Sequence, residues 1–333
     1  MKKRLIRIFI VLSLTLLILL ALFQVMWFRG QTLSVFSYSV PSRTGEKIRI
    51  AALADLHGDL PEDKQEPFAQ KIQSAKPDLI VYLGDMVDRS TPEESARVLE
   101  RLTKRLIEIA PICYVDGNHE LDILQNNPEL YDNYNEALRN TGAIQLENEI
   151  VKLQINKDPD KPENWIFTDQ QEEVGFDYTI VNICGITTHY YWGMNESSLV
   201  NDLRQMNGIN LLLCHYPESV IWYDAFRSGG LDLAICGHTH GGLIRIPFAG
   251  GAFAPEQGWW PKYDQGKFPI YSDTIWNEYG GAEGSEYLGT MIISGGLAGE
   301  HGVPRINNPK EISIIEIGSG WAVSCKSYLL LPP

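Results

Sequence analysis

Five apolar runs in this chain each end in a short polar motif bearing Asp, Asn or His. IRIAALA precedes Asp55-Leu56-His57, and DLIVYL precedes Gly84-Asp85. PICYV precedes Asp116-Gly117-Asn118-His119-Glu120, INLLLC precedes His215, and LDLAIC precedes Gly237-His238-Thr239-His240. Short runs of Ile, Val and Leu bounded by polar turns read as buried strands. Strands that all deliver such side chains at their C-terminal ends describe a metal site along one edge of a sheet. Five of the seven histidines fall inside this series.

The first thirty residues have a different character. Lys2, Lys3, Arg4 and Arg7 precede an uncharged apolar run from Ile8 to Phe28, closed by Trp27 and Phe28. About 20 apolar residues suffice to cross a bilayer as a helix, and interfacial aromatics suit its end. A cleaved signal peptide would have a shorter apolar region followed by small residues, and Gln24–Gly30 offers no such site. The reading is a signal-anchor over residues 1–30, with residues 31–333 forming one body. Basic residues before the span keep the N-terminus cytoplasmic and place the body on the extracytoplasmic side of the cell membrane.

The length of 333 residues accommodates one large domain or two small ones. The net charge is −14, and removing the five basic residues of 1–30, which holds no acidic ones, leaves −19 on the remainder. A body this acidic is poorly suited to nonspecific nucleic-acid binding, so none is expected. The five cysteines include no C-x-x-C, and Cys113, Cys184, Cys214 and Cys236, each in an apolar run, read as buried small hydrophobes. A Cys214–Cys236 disulfide stays open as an alternative.

Strands are expected at Thr32–Val40 and Lys47–Ala54, and helices at Glu66–Ala75, Pro92–Ile109 and Glu129–Thr141. Thr91 and Glu94 have capping-box spacing. This alternation is the pattern of parallel βαβ units. Two antiparallel strands follow, Glu149–Ile155 and Tyr178–Gly185, then helix Glu196–Met206 and strand Ile209–Cys214. The Gly- and aromatic-rich stretch after Gly241 reads as loops and short strands covering one side of the site. Strands at Thr290–Ser294, Ile312–Ile317 and Ala322–Tyr328 close the chain.

Carboxylate, imidazole and amide oxygen suit divalent Mn, Fe or Zn. A single D-x-H or Gly-Asp is more often a turn; the ordered set carries the argument. Asp85 can bridge two ions, since one carboxylate has two oxygens. Two ions about 3.5–4 Å apart clamp a phosphoryl group.

The ordered set D-x-H, G-D-x-x-D-R, G-N-H-E, H and G-H-x-H resembles the calcineurin-like metallophosphoesterase superfamily, from about Lys47 to about Ile317. GGLIRIP, APEQGWWPKY and VPRINNPKEISII further resemble its membrane-associated bacterial phosphodiesterase branch. The resemblance implies a four-layer αββα sandwich of two mixed sheets flanked by helices. It implies two divalent metal ions, one held by Asp55, His57 and His240, the other by Asn118, His215 and His238, with Asp85 between them. It implies that His119 protonates the leaving group, oriented by Asp88, while the metals deliver hydroxide to phosphorus. The substrate class would be a small-molecule, lipid or envelope phosphodiester or pyrophosphate. A nonspecific phosphomonoesterase and a catalytically silent metal-binding surface protein remain the alternatives.

Weaker candidates surround this set. Arg89 could meet a phosphate oxygen or pair with Glu93 or Glu94. Trp259, Trp260 and Tyr263 could form an aromatic wall, pack in the core or meet a membrane interface. His189 follows a strand that could approach the site, or it is a surface or packed histidine beside Tyr190 and Tyr191; His301 has no argued role. Where relatives show Ser-Arg-Gly-Leu-Gly, this chain has Ser294-Gly295-Gly296-Leu297-Ala298, without the arginine. Where an aspartate often follows a strand, Thr187-Thr188-His189 stands.

Overall fold

The computed structural model describes residues 2–156, 166–168, 178–187, 191–273, 284–300 and 302–318. His189, His301, Cys325 and the strand expected over 322–328 lie outside them.

Side chains alternate across a strand, so each sheet can bury two faces. In the strand Ile48–Leu53, Ile50 and Ala52 enter an apolar layer together with Ile183, Leu211, Leu213 and Ile235. Ala51 and Leu53 point the other way, toward Phe68, Ile72, Leu99 and Leu102 of two helices. On the far side, Leu212, Ala234 and Met291 pack against Val200 and Leu203 of the helix Met194–Gln205. Three apolar layers therefore separate helices, sheet, sheet and helices. This is the four-layer αββα sandwich.

The first sheet runs in the order Leu33–Val40, Lys310–Ile317, Ile48–Leu53, Leu79–Leu83, Ile112–Val115 and Ile144–Gln145. Its last four strands are parallel neighbours, and Lys310–Ile317 joins them antiparallel. The second runs Gly266–Tyr271, Tyr287–Ile293, Leu233–Cys236, Ile209–Cys214, Tyr178–Ile186, Glu149–Asn156 and Ile166–Thr168. Its central pairings are parallel, and its outer ones antiparallel. Helices Glu62–Ala75 and Pro92–Leu106 make the crossovers that parallel strands require.

Several local expectations shift. The helix expected from Glu66 begins at Glu62, so Glu62 and Asp63 occupy its first turn, where negative charge complements the helix dipole. Thr91 makes no side-chain cap; instead Ser95 Oγ donates to the Thr91 carbonyl at 2.8 Å. Gly266–Tyr271 is a full edge strand within the stretch read as irregular. Cys113, Cys184, Cys214 and Cys236 are buried free thiols, so the Cys214–Cys236 disulfide is not formed.

Lys2–Gly30 forms one helix, and its segment Arg4–Gly30 is long and apolar enough to cross a membrane. At 1.5 Å per residue its 27 residues reach about 40 Å, beyond the ~30 Å hydrocarbon core. The helix end is fastened to the body. Asn307 N–H donates to the Met26 carbonyl at 2.7 Å, and Gln31 Nε2 donates to the Arg305 carbonyl at 3.2 Å.

Candidate metal centre

The five motif-bearing strands divide between the sheets. Ile48–Leu53, Leu79–Leu83 and Ile112–Val115 are neighbours in the first; Ile209–Cys214 and Leu233–Cys236 are neighbours in the second. The site expected along one sheet edge is thus built by two facing sheets. Their shared apolar layer holds the edges in register, and loops at the carboxyl ends of parallel strands are where α/β folds place their sites.

Backbone conformation marks the site independently of side-chain chemistry. Asp55 (φ 52°), His57 (φ 47°), Asp85 (φ 52°), His238 (φ 73°) and His240 (φ 48°) all adopt the left-handed region. Non-glycine residues rarely do so, and such strain clusters at functional sites. Gly84 (φ 88°) and Gly117 let two of these loops touch: a Cβ on Gly84 would meet Gly117 N at 2.5 Å.

All seven expected ligands come together. Donor atoms of Asp55, His57, Asp85 and His240 lie within 4.8 Å of one another, and so do those of Asp85, His215 and His238. Asn118 Oδ1 joins the second group, 3.2 Å from His215 Nε2. Asp85 is common to both. The other nitrogen of three rings is already committed to an oxygen. His215 Nδ1 lies 2.7 Å from the Leu83 carbonyl, His240 Nδ1 3.1 Å from the Ala298 carbonyl, and His238 Nε2 2.6 Å from Glu256 Oε2. A carbonyl can only accept, so the proton sits on the outer nitrogen and the inner lone pair faces the centre. Asp55 Oδ2 and His57 Nε2 are buried without a hydrogen-bond partner, which is costly unless something else satisfies them. Oxygen and imidazole donors arranged so fit divalent ions.

The electrostatics agree. Burial, opposed by Asp85, lowers His57 to about 4, leaving a neutral ring with a free lone pair. Burial also works against charge on His215, but Asp85 and Asp55 outweigh it and push that ring up to about 10. Burial alone would raise Asp85; His215, His119 and His57 instead hold its carboxyl well below the usual carboxylate range. Asp85 therefore stays ionised, and its pull on His215 shows that this buried space favours positive charge.

His119 is buried beside this cluster, its Nε2 4.0 Å from Asp85 Oδ2. Burial disfavours its charge, yet Glu300 and Asp85 raise its pKa above the ordinary value. Asp88 Oδ1 stands 3.5 Å from Nδ1, the carboxylate a protonated ring would face. The same nitrogen meets Arg89 N–H at 3.2 Å, a contact suited to the neutral ring, while Asp88 accepts from Ser90 N–H and Oγ. Arg89 pairs with Asp122 rather than Glu93 or Glu94.

Three carboxylates escaped the sequence reading. Glu120, inside the G-N-H-E motif, accepts backbone N–H groups from Asp85 (2.8 Å), Met86 (2.7 Å), Val87 (3.0 Å) and Gly117 (2.9 Å). Glu256 holds His238. Glu300 lies 3.1 Å from His240 Nε2, 3.5 Å from His57 Nε2 and 3.9 Å from His119 Nε2. The capping-box spacing of Glu120 was a usable signal; Glu256 and Glu300 sit in irregular chain where no periodicity points to a contact. Arg305 does not replace the arginine missing at position 295. It is buried, and its guanidinium donates to the carbonyls of Ala298, Gly295, Asn308 and Pro309.

Residues 48–242 match the sequence profile of the calcineurin-like phosphoesterases. The chain belongs to that family. It is 26% identical over 260 residues to the uncharacterized protein YpbG of Bacillus subtilis (strain 168), covering 76% of this chain and 81% of that one. It is 47% identical over 184 residues to phosphodiesterase YaeI of Escherichia coli (strain K12), covering 55% of this chain and 56% of YaeI. It is 24% identical over 209 residues to the uncharacterized metallophosphoesterase Cj0846 of Campylobacter jejuni, covering 60% and 46%. The matches thus span about half the length of the latter two relatives. A hydrolase with an Asp/His cluster suited to divalent metal follows from family and geometry together.

Proposed function

We propose that this chain hydrolyses phosphodiester or pyrophosphate bonds with two divalent ions, Mn, Fe or Zn, at the shared-Asp85 cluster. The observation that carries the reading is the committed outer nitrogen of His215, His238 and His240, which aims three lone pairs into one buried space. Asp55, His57 and His240 would hold one ion and Asn118, His215 and His238 the other, with Asp85 between. Bound ions supply positive charge for phosphoryl oxygens and lower the pKa of water.

The chain's own residues do the rest. Glu120 fixes the Asp85 loop, and Glu256 fixes the His238 ring. His119 Nε2 faces the same space and carries the proton that a departing alkoxide needs, with Asp88 the carboxylate beside its other nitrogen. The phosphodiesterase name of YaeI supports a diester over a monoester. The charged tip Lys2–Arg7 supports an orientation with the body, residues 31–333, outside the cytoplasmic membrane. Trypsin added to intact cells would then reach the body, and protection of the body would overturn that orientation.

The full-length chain, supplied with Mn²⁺, should hydrolyse bis-p-nitrophenyl phosphate in preference to p-nitrophenyl phosphate. Asp85→Ala and His119→Ala should each abolish most of that rate. Variants as active as the wild type would end the reading.

A further inference from the structure

Folding leaves an unusual amount of aromatic surface in water near the metal centre. Phe248 is 85% exposed, Trp259 73% and Trp260 58%, with Ile246 and Phe253 exposed on the same pair of short hairpins. Phe248 (φ 68°) and Trp260 (φ 60°) are also held in the left-handed region. Bulky residues rarely occupy it. Phe253 and Trp259 meet edge to face, their centroids 5.7 Å apart, yet most of the aromatic surface stays in water, and such patches mark interaction surfaces.

The position of these hairpins says what covers them. Arg245, which begins the first hairpin, donates its N–H to the Ile306 carbonyl at 2.9 Å. Asn307 Nδ2 donates to the Arg245 carbonyl at 2.9 Å, and Asn307 N–H donates to Met26 in the last turn of the N-terminal helix. One residue, Asn307, therefore ties the hairpin to the end of the helix that is apolar enough to span a bilayer. Phe248 follows Arg245 by three residues, at most about 11 Å of chain. At that helix end Trp27 and Phe28 are exposed, as interfacial aromatics are. Arg29 and Lys262, both exposed, are placed to meet headgroup phosphates. The body's net negative charge opposes an anionic surface, so attachment must come from the rings.

The second hairpin connects this surface to the chemistry. Glu256, bonded to His238, lies in the turn between Phe253–Ala254 and Gly258–Trp259. It precedes Trp259 by three residues, again about 11 Å at most.

We infer that Ile246, Phe248, Phe253, Trp259 and Trp260 rest in the headgroup–acyl boundary of the bilayer that the N-terminal helix crosses. The mouth of the metal centre is thereby held at headgroup depth, and the substrate class is a phosphoester of a membrane lipid or lipid-linked headgroup. The docking stands on the surface geometry and on the N-terminal helix crossing the bilayer; the substrate class rests on the phosphohydrolase reading above.

The test uses the full-length chain reconstituted in vesicles of phosphatidylethanolamine and phosphatidylglycerol, with a nitroxide near the top of the acyl chains. Subtracting the fluorescence of a Trp259→Phe/Trp260→Phe variant isolates these two indoles from the others, Trp27 included. Their emission should fall about twofold or more, as for rings buried ~5–10 Å into the interface. Unquenched emission overturns the docking, and a cross-linked dimer through this face would assign it to a second copy instead. With Phe248→Ser, Trp259→Ser and Trp260→Ser combined, hydrolysis of a vesicle-borne phosphodiester should drop about tenfold while soluble bis-p-nitrophenyl phosphate is cleaved within about twofold of wild type. Equal losses on both substrates would contradict the substrate class. A wild type inactive on both substrates would sink the phosphohydrolase reading and leave the quenching result to decide docking, and one active only on the soluble substrate would contradict the substrate class.

Discussion

The Glu120 carboxylate accepts the backbone N–H of Asp85 at 2.8 Å, so the residue shared by both donor groups is held by a buried side chain from the next strand-end motif. Oε1 takes Met86 and Val87, and Oε2 takes Asp85 and Gly117. Glu120→Gln keeps one oxygen and turns an NH₂ toward two N–H donors. That should cost about 2–4 kcal/mol in chemical denaturation, the penalty for leaving buried donors unmet. An unchanged denaturation midpoint would show that the loop does not depend on this carboxylate.

Gly117 lies against the same Asp85. A Cβ there would stand 2.3 Å from Asp85 Oδ1 and 2.6 Å from its backbone nitrogen. Gly117→Ala must therefore displace the shared carboxylate, and metal affinity measured by calorimetry should weaken about tenfold or more. Wild-type affinity in this variant would mean that Asp85 is not part of the metal site.

The 2.6 Å contact between Glu256 and His238 fixes the ring from outside the cluster. Removing such an outer partner commonly costs 10–100-fold in metal affinity. Glu256→Gln should fall within about that range while circular dichroism stays unchanged, because Glu256 is at the surface side of the ring. A normal affinity would reduce the contact to packing.

Glu300 supports the proton on His119, and the sign of its removal can be worked out. Burial lowers the His119 pKa, and Glu300 with Asp85 raises it above the ordinary value. A general acid must be protonated, so the rate falls as pH rises through that pKa. Glu300→Gln removes one of the raising charges. The alkaline limb of the kcat/KM profile should therefore move to lower pH, with the acid limb less affected. A limb that stays in place, or moves to higher pH, would separate Glu300 from the titration of His119.

The fold and donor set were legible because each depends on short-range pattern. Runs such as INLLLC announce buried strands, and Asp or His following each run announces what the strand end presents. The division between two sheets was less visible, since no local signal says that Leu83 and Leu213 belong to different sheets sharing one apolar layer. Glu256 and Glu300 were invisible for a related reason: each acts through one tertiary contact made from a loop without periodicity. Thr91 shows the opposite case. Thr91 and Glu94 have capping-box spacing, but the Thr91 side chain makes no cap; only its carbonyl is engaged, by Ser95 Oγ.

The central claim is that Asp85 joins two ion sites in one cluster. The most direct measurement is the metal content of the full-length chain after chelation and reloading with Mn²⁺ or Zn²⁺, by mass spectrometry of the metal, for wild type and Asp85→Ala. The account predicts about two ions per wild-type chain and loss of tight binding at both positions in the variant, since one carboxylate serves both. A wild type that retains no divalent ion, or a variant that binds as many as the wild type, would contradict it.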